Sequence, residues 1–170
     1  MIFDTEKLAL SVNSLDSGQR CSGVYSIPLG DLDWNLPEAE PSDDPGELSL
    51  EVTRSGDSIM VEGTFSAVFT APCSRCLEPA RIEVEGEVRR MYSSDPTLED
   101  EPDVEPVSHH DGWISIFDAV RESVILSIPM VPLCEKGCRG LCSVCGANLN
   151  KEKDMDRDKD RGGCSHPGGE

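Results

Sequence analysis

The sequence predicts an α+β protein: a mostly antiparallel β-sheet with a long hairpin, one covering helix and a cysteine-rich, metal-binding C-terminal tail. Three observations predict it. Apolar and polar residues alternate over two long stretches, 59–71 and 82–92, the period of half-buried strands. The apolar spacing then changes to three and four between Ile114 and Ile128, the period of a helix face. Seven of the eight cysteines fall in clusters from residue 73 onward. A chain of 170 residues fits one domain with an appendage, here an acidic core over 1–132 and a tail over 133–170.

In chain order, short strands are expected near residues 8–12 and 25–29. Residues 38–47 are acidic and flanked or interrupted by Pro37, Pro41 and Pro45, so they read as a solvated loop. The main strands span about 47–92. Leu48, Leu50 and Val52 alternate and pair across Ser55-Gly56-Asp57 with the strand that starts at Ile59. In that strand Ile59, Val61, Phe65, Ala67, Phe69 and Ala71 face one way, and Glu62, Thr64, Ser66 and Thr70 the other. Ile82, Val84, Val88 and Tyr92 repeat the pattern against Glu83, Glu85, Glu87 and Arg89. Between the two lies Pro72-Cys-Ser-Arg-Cys-Leu-Glu-Pro79, bounded by prolines, which makes the turn of the hairpin. A second acidic loop covers 93–111, with Pro96, Pro102 and Pro106 and no Lys or Arg after Asp95. The helix is expected over about 115–128, with Ile114, Phe117, Val120, Val124 and Ile128 on one face. Ser115 and Asp118 resemble a capping box at its start, and Pro129 ends it by forcing Ile128 out of the α region. Residues 151–161 alternate in charge sign and read as a solvated, flexible end.

Charge narrows the function. The chain has 15 Lys and Arg against 33 Asp and Glu, a net charge of −18. The tail is neutral: Lys136, Arg139, Lys151, Lys153, Arg157, Lys159 and Arg161 offset Glu135, Glu152, Asp154, Asp156, Asp158, Asp160 and Glu170. All of the excess therefore sits in 1–132, which repels phosphate and argues against broad nucleic-acid binding. The longest apolar region, 124–133, is broken by Pro129 and Pro132 and is too short to span a bilayer. The first residues lack the basic start and apolar run of a signal peptide. The expectation is a cytoplasmic protein with no membrane partner, and therefore with reduced thiols.

The chemistry lies in those thiols. Cys73-x-x-Cys76 sits at the hairpin turn. Cys134, Cys138, Cys142 and Cys145 follow the helix, with Cys164 and His166 further on. Four cysteines between 134 and 145 with a second pair ahead of them point to structural zinc, one or two ions. The arithmetic allows several groupings. Cys73, Cys76, Cys134 and Cys138 could share one ion while Cys142, Cys145, Cys164 and His166 share another. Cys73, Cys76, Cys142 and Cys145 could form a single site, or the tail could close on Cys134, Cys138, Cys142 and Cys145 alone. The tail has almost no apolar residues, so metal binding would be its folding energy. Cys21 has no partner in sequence and reads as a buried small residue. A Cys73–Cys76 redox switch is a further alternative, against which stands its place at a strand turn rather than a helix N-terminus. No His-x-Glu, phosphate-cradling glycine loop or Gly-x-Ser-x-Gly occurs, and His109-His110 lie in the acidic loop. The expectation is no enzyme and no small-molecule substrate.

Cys73-Ser-Arg-Cys76-Leu, the helix, and then Val131-Pro-Leu-Cys134, Cys138, Gly140-Leu-Cys142, Cys145-Gly and Asn148-Leu-Asn150 together resemble the bacterial YceD family, from about Leu48 to Asn150. The resemblance implies a cytosolic, non-enzymatic factor in the processing, stability or accumulation of large-subunit ribosomal RNA. The partner is then that RNA or, since ribosomal proteins are basic and residues 38–47 and 95–111 are acidic, a basic large-subunit ribosomal protein, the protein-mediated role being slightly favoured. A zinc-stabilised adapter unrelated to ribosomes is the other class of reading. If a metal joins hairpin and tail, Arg75, Arg81, Lys136 and Arg139 would converge as a contact patch for the partner.

Overall fold

The computed structural model describes residues 3–36, 38–95, 97, 104–107 and 112–151. Its strands are β1 (Phe3–Asp4), β2 (Ala9–Ser11), β3 (Arg20–Ile27), β4 (Glu40–Pro41), β5 (Gly46–Ser55), β6 (Ser58–Pro72), β7 (Pro79–Ser93), β8 (Val104–Pro106) and β9 (Trp113–Ser115), followed by helix α1 (Phe117–Ser127). One six-stranded sheet runs β3-β5-β6-β7-β8, with β4 extending it beside β6. A second, three-stranded sheet of β1, β2 and β9 shares the same core, with the Phe3 and Tyr25 rings 4.6 Å apart.

The long ribbon follows from the alternation. β6 and β7 pair antiparallel from Ser58↔Ser93 to Pro72↔Pro79, so the chain reverses over 73–78. β5 and β6 close on Ser55↔Ser58, where Gly56 takes a φ of +59 that a side chain would resist. The period-two residues of β5, β6 and β7 bury one face: Leu48, Leu50, Val52, Ile59, Val61, Phe65, Phe69, Val84, Val88 and Tyr92 are all in the core. Trp34 sits among them, its ring 5.8 Å from Phe65, 5.6 Å from Phe69 and 5.5 Å from Phe117. Its indole N–H is satisfied by the Leu29 carbonyl at 2.8 Å.

Helix α1 covers this face close to β7. Gly86 permits the approach: a Cβ there would clash with Ser123 Oγ and lie 3.1 Å from the Ser123 carbonyl. Ser127 Oγ donates to the Glu85 carbonyl at 2.8 Å, and Arg121 donates to the carbonyls of Trp34 (2.6 Å) and Asn35 (3.0 Å). The helix ends at Ile128, whose extended backbone precedes Pro129.

Several expectations are corrected. Ile114 is not on the helix: it belongs to β9, pairs with Leu10, and is buried by strand alternation with Ile116. The predicted capping box is absent, because the residue at the N-cap position is Ile116 with no side-chain cap. Ser115 is the last residue of β9, and its Oγ only accepts the Phe117 N–H at 3.3 Å. The two acidic loops each contain a strand. Glu40 and Pro41 pair with Thr70 and Phe69 where β5 no longer borders β6, an edge position that tolerates proline. β8 lies parallel to β7, held by buried Val107 and by an ion pair of Glu105 with Arg90 at 3.3 Å. Most of 93–111, His109 and His110 included, is outside the described residues. β3 starts at Arg20, earlier than expected, because its backbone pairs fully with β5 although Ser22 and Gly23 break the apolar pattern. Cys21 on that strand is half-buried against the core rather than buried.

Candidate metal centre

The ribbon tip is a tight turn. Cys73 N–H donates to the Glu78 carbonyl at 2.8 Å, and Leu77 N–H to the Cys73 carbonyl at 2.9 Å. Leu77 takes a φ of +62, a conformation that costs a side chain roughly 1–2 kcal/mol. The turn keeps it, and Cys73 and Cys76 are both buried there. The segment after α1 comes to meet them. Pro132 accepts the Ser74 N–H at 2.8 Å, which brings Cys134 to the tip. A turn closed by Cys138 N–H on the Glu135 carbonyl at 3.1 Å then places Cys138. Arg75 clasps it, donating from Nη1 to the Cys138 carbonyl at 2.8 Å.

The sulfurs of Cys73, Cys76, Cys134 and Cys138 all lie within 4.8 Å of one another. Cys73 and Cys138 are 3.7 Å apart, and Cys76 and Cys134 3.5 Å. A tetrahedral zinc with sulfur at about 2.3 Å requires separations of about 3.8 Å, whereas a disulfide requires about 2.05 Å. The four thiols are free, and their spacing is on the scale of shared coordination rather than of a bond. These residues could hold a soft divalent cation. Asn150 supports the group from outside, with Nδ2 donating to Cys138 Sγ at 3.2 Å.

The thiols are electrostatically unequal. Burial pushes Cys73 up, but backbone N–H groups of Arg75, Cys134 and Cys76 outweigh it and bring it down to about 6. Desolvation and the neighbouring thiols push Cys134 up to about 12. At Cys76 the Glu78 N–H lowers the pKa, yet desolvation together with Cys138 and Cys73 leaves it raised. Cys73 thus ionises with help from neighbouring donors, whereas at Cys134 the other sulfurs oppose ionisation, the repulsion a cation relieves.

Cys142 and Cys145 lie outside this group, in a second turn of their own. That turn docks beside the first: Asn148 Nδ2 donates to Glu78 Oε1 at 3.4 Å, and Lys151 Nζ pairs with the same oxygen at 2.6 Å. Cys164 and His166 are outside the described residues. Of the four basic residues named from the sequence, Arg75 is engaged on the Cys138 carbonyl. Arg81 pairs with Asp44 at 3.6 Å, Arg139 is exposed with its N–H on Asn150 Oδ1 at 2.7 Å, and Lys136 is exposed. The roles of Arg75 and Asn150 in clamping the cysteine loop were not read from the sequence. The only signal was their place beside cysteines in Cys73-Ser-Arg-Cys76 and Asn148-Leu-Asn150.

Fold and site together define an α+β protein in which a sheet ribbon is joined to its C-terminal segment through a four-thiol junction. The chain belongs to the YceD family: the family model "Large ribosomal RNA subunit accumulation protein YceD" matches residues 61–165. It is similar to the large ribosomal RNA subunit accumulation protein YCED homolog 1, chloroplastic, of Zea mays, 28% identical over 176 residues, covering 85% of this chain and 58% of that one. The Arabidopsis thaliana protein of the same name is 27% identical over 189 residues, covering 92% of this chain and 57% of that one. An uncharacterized protein of Mycobacterium leprae is 29% identical over 119 residues, 68% of this chain and 54% of that one. The chain thus spans just over half the length of these curated relatives. No solved structure matches. No helix among the described residues is long and apolar enough to cross a membrane.

Proposed function

We propose that this chain is a non-enzymatic cytosolic factor that supports accumulation of large-subunit (23S) ribosomal RNA, and that zinc on Cys73, Cys76, Cys134 and Cys138 sets the shape it presents. Membership of the family, together with the names of the plant relatives, supports the ribosomal part. One observation carries the metal part: four sulfurs from two distant segments meet within 4.8 Å. The zinc is structural in this reading, since four protein sulfurs leave no open position for a substrate.

The partner that best fits is a basic large-subunit ribosomal protein rather than bare RNA. A body with a net charge of −18 repels phosphate, and Arg75 and Arg81 are already engaged within the chain. Capture of the tagged full chain from cells, with bound RNA and protein both identified, tests this. A basic large-subunit protein recovered after nuclease treatment is the expected result. Recovery that depends wholly on intact RNA would refute it. In cells carrying Cys76→Ser, mature large-subunit RNA should fall with small-subunit RNA spared. Unchanged levels would detach the thiol junction from the ribosomal role.

A further inference from the structure

The two Cys-x-x-Cys turns are copies of one design. In the first, Cys73 N–H donates to the Glu78 carbonyl and Leu77 N–H to the Cys73 carbonyl. In the second, Cys142 N–H donates to the Ala147 carbonyl at 2.8 Å and Gly146 N–H to the Cys142 carbonyl at 2.9 Å. The register is identical. Pro72 pairs with Pro79 around the first, and Leu141 bridges Asn148 around the second. The residue after the second cysteine is left-handed in both, Leu77 at +62 and Gly146 at +73. In the second turn the Val144 N–H also donates to Cys142 Sγ, at 3.4 Å. Amide hydrogens aimed at a sulfur stabilise it as a thiolate, the form that binds metal.

The first turn has a complete set of four sulfurs with Cys134 and Cys138, so Cys142 and Cys145 are not needed there. Apolar packing does not account for the second turn either. Val144 is 79% exposed and Leu141 38%. A tight turn with so little apolar surface buried requires another source of ordering energy.

We propose that Cys142 and Cys145 are two ligands of a second thiophilic metal ion, for which Zn2+ is the natural occupant. On binding, the metal–sulfur bonds form as each thiol releases its proton to solvent. The second ion would lock residues 140–151 against the ribbon tip, where Asn148, Asn150 and Lys151 make their contacts. The inference extends the metal reading but does not depend on the first centre.

Native mass spectrometry of the full chain, purified with zinc, counts ions per folded molecule. The wild type should carry two. Cys142→Ser with Cys145→Ser should carry one, as should Cys134→Ser with Cys138→Ser. Reloading with Co2+ gives a second readout, because thiolate ligation adds a sulfur-to-cobalt absorption that should drop by about half in each cysteine variant. One ion in the wild type, kept in the Cys142/Cys145 variant and lost in the Cys134/Cys138 variant, would overturn the second site and leave the first standing. The reverse pattern would overturn the first centre and keep the second.

Discussion

Gly86 lets α1 lie against β7, and α1 delivers the segment that carries Cys134 and Cys138. In Gly86→Ala the new methyl meets Ser123 Oγ head-on and comes within 3.1 Å of the Ser123 carbonyl and of Ser127 Oγ. Overpacking of this kind costs about 1–3 kcal/mol. The backbone of Gly86 is not left-handed, so alanine returns about 0.4–1 kcal/mol by restricting the unfolded chain. The net loss should be about 1 kcal/mol, or about 0.5 M in urea midpoint for a slope near 2 kcal/mol/M, with the slope unchanged. Ser123 gives the control. Its Oγ is buried without a hydrogen-bond partner among the described residues, so Ser123→Ala should be neutral or mildly stabilising. It also removes the atom that the new methyl strikes. The double variant should therefore recover more than half of the loss, a coupling of about 0.5–1 kcal/mol in the cycle. The Ser123 carbonyl and Ser127 Oγ stay in place, so recovery should be incomplete. Strict additivity, or a Gly86→Ala midpoint equal to wild type, would refute the close helix–strand packing described here.

Trp34→Ala should cost about 3–5 kcal/mol, since it empties the space between Phe65, Phe69 and Phe117; a melting temperature within a degree of wild type would show that the ring is not in the core. Tyr92 is held above its ordinary pKa near 10 by burial first, then by Glu105 and Asp118 against the opposing pull of Arg90. The folded state thus keeps the phenol proton more tightly than the unfolded chain. Its contribution is complete below about pH 10 and declines as pH rises beyond that, so Tyr92→Phe should flatten the alkaline limb of stability against pH in denaturant titrations. A chelator should release residues 129–151 to proteolysis while amides of β5, β6 and β7 stay protected from hydrogen exchange. Loss of protection in both at once would make the sheet and the junction a single cooperative unit.

The ribbon was legible because its face pattern is long: apart from Gly63, Gly86 and Arg90, every second residue from Ile59 to Ala71 and from Ile82 to Tyr92 is apolar. β3 was only half legible, since Arg20 to Gly23 are strand by virtue of their hydrogen bonds to β5 and not of their own side chains. β4 and β8 were hidden for a related reason. Two or three residues in an acidic, proline-bearing stretch have no period to read, and each is a strand only because an exposed edge of β6 or β7 stands beside it. Ile114 misled by coincidence: its three-residue step to Phe117 mimics a helix face, although the burial of Ile114 and Ile116 has the two-residue step of a strand. Among the cysteines, spacing left several groupings open. The choice in the structure was made by contacts that have no sequence signature, such as Ser74 on Pro132 and Arg75 on Cys138.

Stability and recognition divide along the same line. The sheet has a large core of its own, whereas the junction's buried cluster is Cys73, Cys76, Ala80 and Cys138, with Leu133 partly buried against it. A cluster in which three of four buried residues are cysteines gains little from burial alone, so hydrogen bonds and any metal it binds have to supply its order. Charge divides in the same way, with the whole excess of −18 in residues 1–132 and none in the tail. On the sheet face opposite α1, Arg20, Arg81 and Arg89 are each paired with a carboxylate, and Glu83, Glu85 and Glu87 form a row along β7. Phosphate approaching that face meets repulsion, while a lysine- or arginine-rich segment meets attraction that weakens with salt. The tail carries no such excess of charge, so phosphate could approach it without that penalty. The charge map thus sets an acidic body against a neutral tail, and metal on the four thiols would keep the junction in fixed relation to the sheet.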